Sequence, residues 1–413
     1  MRFKTFFSSN YKWILFLLLV SMGSLAAELI NDNFRMRDLE VYQKTALRMV
    51  SGEDLYRAVE DDPYEHYVYK YSPPAAMFFI PLILPGFTVS KFLYWAFLTF
   101  IFGSILYNMK VIFTGKAEMN SRITGSLMLA TAIAGTHFFR ELHLGQVNLL
   151  LLGAYIYALR CFLARQSAGF GVLMASSIFI KPFALIFIPF LLVLRKFKES
   201  MYFAGFTILL FILPFAFYPD ITGFMDLYAS WIRELGIEMA DKQGLLAEGN
   251  HTLFSVVARF TPVGFLEMNE TGRYIYQLLV LGLLGTLIFW FLFKKKVADA
   301  PARIFIILIS FIPLLAFTSN NAFIFTLPLI AYLLFKYREL NLYFKVLFIL
   351  SCILIGGNIY DLLGRELFNI LWGMSVYTWG TIGLLVTVFA NWRIFSPSLH
   401  ATTSDFKLLI SDI

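Results

Sequence analysis

The chain has 413 residues, of which 59% are hydrophobic, 18% aromatic and only 15% charged, with a mean hydropathy of +0.71. This excludes a soluble globular protein and predicts an all-α polytopic membrane protein, because a helix of about 20 apolar residues covers a hydrocarbon core. The net charge of +7 is spread over short basic clusters between apolar runs, so it reads as a topology signal and no nucleic-acid partner is expected.

In chain order, the apolar runs predict about twelve membrane helices, near 11–30, 87–109, 123–138, 146–163, 168–181, 182–194, 201–218, 273–293, 302–317, 321–335, 341–357 and 375–392. The first follows Arg2, Lys4 and Lys12 and reads as a retained signal anchor, with cleavage within residues 1–27 as the alternative. Between later runs lie Lys110, Lys116 and Arg122, then Arg160 and Arg165, then Arg195, Lys196 and Lys198, then Lys294 to Lys296, then Lys336 and Arg338, and finally Arg393. With the N-terminus inside, all of them fall on the cytoplasmic side, as the positive-inside rule requires. The opposite side receives two long acidic segments, 31–86 and 219–272, and short ones around 139–145 and 358–374. Long connections among short ones carry function, so the working face is expected on the outer, periplasmic side of the cytoplasmic membrane. No internal repeat is visible, and residues 1–413 read as a single integral membrane domain.

The first long segment places Leu39, Tyr42, Ala46 and Met49 at helical spacing opposite Glu40, Gln43, Lys44 and Arg48. That pattern predicts an amphipathic helix lying on the membrane surface. Asp38 stands at its start and Gly52 just past its end. Asp38 reads as an N-cap or as a general base, and the roles are compatible because a helix N-terminus favours the ionised carboxylate. Tyr69, Lys70 and Tyr71 precede a proline-rich surface or re-entrant segment; they are interfacial anchors, or Lys70 is an anion ligand. Arg140, Glu141, His143 and Gln146 crowd the next outer turn, with Asn148 following and Gly145 allowing a sharp re-entry. They form a snorkelling rim or a polar binding site.

Further along, Lys181 and Pro182 interrupt an apolar run, as happens where a helix lines a cavity. In the second long segment Asn250 reads as a helix cap, and His251, Ser255 and Arg259 follow at a spacing of four. This stripe is either a solvated face or a ligand-facing seam. Thr318, Ser319, Asn320 and Asn321 make a polar turn between two apolar runs, a plain loop or a source of hydrogen bonds. No Walker loop, dinucleotide fingerprint or HExxH motif occurs, and Cys161 and Cys352 offer no metal spacing. No cofactor is expected, although Asp32, Asp38 and Glu40 lie close enough in sequence to leave a divalent metal open.

One carboxylate at a surface helix, amid Lys70, Arg140, His143, Lys181, His251 and Arg259, suits transfer of a group from a phosphate-bearing lipid. Cations stabilise charge on the leaving phosphate while the carboxylate takes the acceptor proton. A flippase for a lipid-linked sugar, or a polysaccharide polymerase or ligase using undecaprenyl-diphosphate substrates, are the alternatives. Charges at span ends, not at mid-membrane, favour an enzyme over a transporter.

The stretches "DLEVYQKTALRMVSGEDLY", "YKYSPPAAMFFIPL", "LGQVNLLLL", "AGFGVLMASSIFIKPFALIFIPFLL" and "GNHTLFSVVARF", in this order, resemble the successive motifs of glycosyltransferase family 87. The resemblance runs from about residue 38 to 335. It implies a GT-C fold and an inverting transfer of a hexose, typically mannose, from a polyprenyl-phosphate sugar donor to a lipid or glycan acceptor, among membrane lipids. It also implies Asp38 as the base, and it places Gly145, Gln146, Lys181, Asn250 and Arg259 on family motif positions. The chain departs from the family at "TSNNAFIF", where many members carry a tryptophan and histidines. Asn320 or Asn321 then supplies a hydrogen bond in place of a charge, and His251 or His143 is the candidate for the missing cation.

Overall fold

A computed structural model of the chain describes residues 2–56, 68–114, 121–241, 246–247, 249–268, 270–294, 301–315 and 320–392. Thr318 and Ser319 lie outside these ranges, as do Glu60, Asp61, Asp62, Glu65, Glu248, Lys116, Lys295, Lys296 and Arg393. The described residues are helical with no strand. The helices are α1 (Arg2–Ile30), α2 (Arg37–Ser51), α3 (Pro73–Met77), α4 (Gly86–Thr114), α5 (Ser121–Ile133), α6 (Gly135–Leu144), α7 (Asn148–Leu163), α8 (Ser167–Ile180) and α9 (Ile188–Val193). They continue with α10 (Phe197–Ile212), α11 (Ile221–Asp241), α12 (Leu253–Phe260), α13 (Glu270–Lys294), α14 (Pro301–Leu315), α15 (Leu327–Lys336), α16 (Leu342–Gly356), α17 (Tyr360–Gly373) and α18 (Val376–Ala390).

The apolar stretches Lys12–Ile30, Gly86–Phe113 and Phe197–Ala216 are each long enough to cross a membrane as one helix. Two helix pairs are sharply bent, α6 with α7 by 118° and α16 with α17 by 97°. The segment around 358–374, expected as a short connection, is therefore largely the helix α17. The core is built on α14 and α15, whose side chains are buried nearly throughout, with α7 and α8 packed beside α4 and α10. At the periphery, α10 exposes Met201, Ile208 and Leu209, and α13 exposes Leu278, Leu279 and Leu283. Apolar surface on that scale is the face that meets lipid.

Two sequence expectations are corrected at α2. Its apolar face, Leu39, Tyr42, Ala46 and Met49, is buried as predicted, but it rests on α3, α4 and α6 and not on lipid. The helix also begins at Arg37, so Asp38 is its second residue and makes no cap hydrogen bond; the cap position belongs to Met36. The break at Lys181 appears where proline forces it: α8 ends at Ile180, Lys181 is extended, and a 3-10 turn over Pro182–Phe187 leads to α9.

Candidate active site

Two backbone features bring Asp38 to its neighbours. Met36, fully buried, holds φ 47° and ψ 54°, a left-handed conformation that costs a non-glycine residue about 1 kcal/mol and persists where packing enforces it. It fixes the direction in which α2 starts and leaves Asp38 in the positive first turn of the helix. Opposite, α6 ends at Gly145 with φ 69°. Gly145 N–H donates to Leu142 O and Gln146 N–H to Glu141 O, the paired bonds of a Schellman stop. A Cβ on Gly145 would lie 2.8 Å from Leu39 Cβ, so only glycine lets the turn press against α2. The next side chain, Gln146, then donates its amide N–H to Asp38 Oδ2, while Tyr42 OH donates to Gln146 Oε1 at 3.4 Å.

Asp38 is half-buried, and burial pushes its carboxyl above the usual aspartate range; Lys181, the Gln146 bond, Lys70 and Arg140 pull the other way. These three cations act on one carboxylate from three elements. Lys181 Nζ donates to Asn148 Oδ1 at 2.8 Å and stands over the rings of Tyr71 and Phe183. Lys70 Nζ meets Glu238 Oε2 at 2.5 Å, with 43% of the lysine side chain still exposed against 3% of the glutamate. Through this pair the two long outer segments touch. Arg140 is exposed and makes no hydrogen bond among the described residues.

Behind Lys181 lies a buried carboxylate whose role the sequence did not reveal. Glu141 Oε1 accepts from Asn148 Nδ2 at 2.7 Å and from Asn321 Nδ2 at 2.9 Å, and Oε2 accepts from Leu149 N–H at 3.1 Å. The sequence placed Glu141 in the polar outer turn, and its register sharpens that: it falls between Phe138 and Leu142 on the face of α6 that is buried.

Asn250, His251 and Arg259 belong to a second cluster. Thr252, not Asn250, caps α12, accepting from Ser255 N–H, and Asn250 Oδ1 instead accepts from Thr252 N–H and Oγ1. The correction follows from reach: α12 starts at Leu253, two residues too late for Asn250 to cap it. Arg259 donates to Gly373 O at 2.9 Å, to Asn250 O at 3.0 Å and to Ser375 Oγ. His251 is fully buried, shares a 3.0 Å hydrogen bond with Ser375 Oγ and packs edge-on against Trp372 and Tyr377. Burial, with Arg259 nearby, holds its imidazole down at about 4. It is neutral at physiological pH and does not supply the cation that the polar turn lacks. Asn320 borders this cluster through Tyr377, whereas Asn321 belongs to the Glu141 network. His143 is drawn aside to Glu28 of α1, 2.9 Å from its carboxylate.

Beside the Asp38 cluster an apolar cavity of about 570 Å³ runs between α4, α7 and α8. Phe79, Tyr94 and Ile180 line it, and each reaches the cluster. Phe79 packs on Tyr42 at 4.6 Å, Tyr94 OH donates to Gln146 O at 3.2 Å, and Ile180 precedes Lys181. Among the described residues no three His, Cys, Asp or Glu side chains converge as a metal site.

The family model of glycosyltransferase family 87 matches residues 69–319. The chain belongs to glycosyltransferase family 87. It is a membrane glycosyltransferase with several apolar helices, and the flippase alternative gives way to that membership. No curated protein matches the chain. The matched region includes Lys70, Arg140, Gln146, Lys181 and Arg259 but begins after Asp38, so the family match does not reach Asp38.

Proposed function

We propose that this family 87 enzyme transfers a hexose, mannose by the family resemblance, from a polyprenyl-phosphate carrier to a hydroxyl of a lipid or glycan acceptor. Its architecture is of the GT-C kind, and the work is done at the outer face of the cytoplasmic membrane. The observation that carries the reading is a carboxylate under the pull of three cations, next to an apolar cavity whose Tyr94 and Ile180 adjoin the cluster. Gln146 occupies Asp38 Oδ2, leaving Oδ1 for the acceptor hydroxyl. Asp38 takes the hydroxyl proton as the acceptor oxygen bonds to the sugar C1. The bond from C1 to the phosphate oxygen breaks, with inversion at C1, and the lipid phosphate leaves carrying the electron pair. Lys181, Lys70 and Arg140 stabilise the charge gathering on it. The cavity suits an isoprenoid chain because its walls offer rings and aliphatic side chains and few polar atoms. The outer placement is supported by the basic residues Arg160, Arg165 and Arg195, which stand at the far ends of α7, α8 and α9 from Gln146 and Lys181.

The test is product formation by membranes holding the enzyme and supplied with polyprenyl-phosphate-mannose. Transfer to an endogenous acceptor is expected. No transfer from that donor, with transfer from a diphosphate-linked sugar, would replace the donor and favour the polymerase or ligase alternative.

A further inference from the structure

The geometry points to Glu141 as a positioning residue of the donor-phosphate site, acting on Lys181 through Asn148; this rests on the donor reading above. The three groups form one chain. Lys181 Nζ donates to Asn148 Oδ1 at 2.8 Å, and Asn148 Nδ2 donates to Glu141 Oε1 at 2.7 Å. An amide so placed has one stable orientation, because turning it over would set its N–H groups against the ammonium and its oxygen against the carboxylate. Glu141 therefore decides that a carbonyl dipole faces Lys181. Its other donors, Leu149 N–H and Asn321 Nδ2, keep the carboxylate seated at the N-terminus of α7, where the helix dipole also favours it.

The spacing has a consequence for phosphate binding. A carboxylate in direct contact with Lys181 would compete with the donor for the ammonium. With Asn148 interposed, Glu141 still acts electrostatically on Lys181, and among the described residues the ammonium spends a single hydrogen bond, on a neutral oxygen. An ammonium has three donors, so the remaining ones are left for phosphate oxygens. Fixing the position of a group that binds the donor, without touching the donor, is the work of a positioning residue.

The experiment uses the full-length enzyme in detergent. Binding of polyprenyl monophosphate is measured directly, and the KM for donor and acceptor are measured separately. Glu141→Gln is expected to weaken binding of the monophosphate and raise the donor KM roughly tenfold or more, the scale of a charged hydrogen bond, with the acceptor KM within about twofold. Asn148→Asp sets a carboxylate directly on Lys181 and should raise the donor KM as well; the melting temperature of each variant, measured on the same preparation, separates loss of fold from loss of donor binding. In a Lys181→Ala background, Glu141→Gln should add nothing further to the donor KM. Unchanged donor binding in both single variants, or full additivity with Lys181→Ala, would overturn the relay while leaving the donor reading intact. Failure of the wild-type enzyme to bind polyprenyl monophosphate would overturn both.

Discussion

The protein holds two polar clusters built from similar residue types and spends them differently. Around Asp38 the charges stay available: Arg140 is exposed, and Lys70 keeps much of its surface. Around Arg259 they are used up internally, on the backbone carbonyls of Asn250 and Gly373 and on Ser375. Each cluster sits beside a non-glycine residue in the left-handed region, Met36 in one and Ser375 in the other, so strained backbone does not tell them apart. What separates them is how much of each cation stays open: Lys70 pairs with Glu238 yet keeps 43% of its side chain exposed and Lys181 bonds to one neutral oxygen, whereas Arg259 is spent on three acceptors that tie loops together. A cation already bound to carbonyls holds loops together, and one left facing a carboxylate and a cavity can meet a ligand.

The largest effect that would break this contrast is at Asp38. Asp38→Asn keeps the size of the side chain and removes the proposed base, so the transfer rate should fall by about 10²–10⁴-fold with no loss of thermal stability. Near-normal turnover by that variant would move the chemistry elsewhere. Next comes a paired comparison of the two arginines. Arg140→Ala should raise the donor KM about tenfold, the scale of one charged contact, with no loss of melting temperature. Arg259→Ala should do the reverse, lowering stability by about 2 kcal/mol through orphaned carbonyls with the donor KM unmoved. Exchanged outcomes would mean that the two clusters have been assigned the wrong way round. A smaller effect is expected at Gly145, where alanine meets both the positive φ and the 2.8 Å approach to Leu39 Cβ. Gly145→Ala should cost about 1–2 kcal/mol and lower kcat by displacing Gln146 from Asp38, which unfolding and rate measurements on one preparation would separate.

The parts of this arrangement that were legible in the sequence are those with a local cause. The spacing of Leu39, Tyr42, Ala46 and Met49 gives a helix with one apolar face wherever it sits, and Lys181 followed by Pro182 ends a helix in any surroundings. Gly52 and Gly145 stop their helices with left-handed φ for the same local reason. What covers an apolar face is not local, because lipid and protein interior ask for the same residues; α2 was thus read as lying on the membrane when it lies on α3, α4 and α6. Nor could the partners of the charges be read. Asn321 is 180 positions from Glu141 and Glu238 is 168 from Lys70. The groups that saturate Arg259 include backbone carbonyls, which no side-chain pattern announces. Even the N-cap expectation at Asp38 failed for a backbone reason, the left-handed Met36 that starts the helix two residues early.

The finest distinction between the clusters is in the sign of their response to pH. The His251 imidazole sits at about 4 in the folded chain against an ordinary 6.5, so between those values the unfolded chain binds the extra proton. Its contribution is complete above about pH 6.5 and is lost as the pH falls toward 4. Asp38 runs the other way, because its folded carboxyl is raised above 3.8. The folded chain holds that proton longer, so stability declines as pH rises from 3.8 through the raised value. Under the proposed mechanism activity needs the ionised form, so it should rise over the same interval. Melting temperatures of His251→Gln should therefore run parallel to wild type above pH 6.5 and fall less steeply below it. The activity profile should keep its acid limb, since that limb belongs to Asp38. A His251→Gln profile that lost its acid limb would place the histidine in the chemistry and erase the distinction between the open cluster and the closed one.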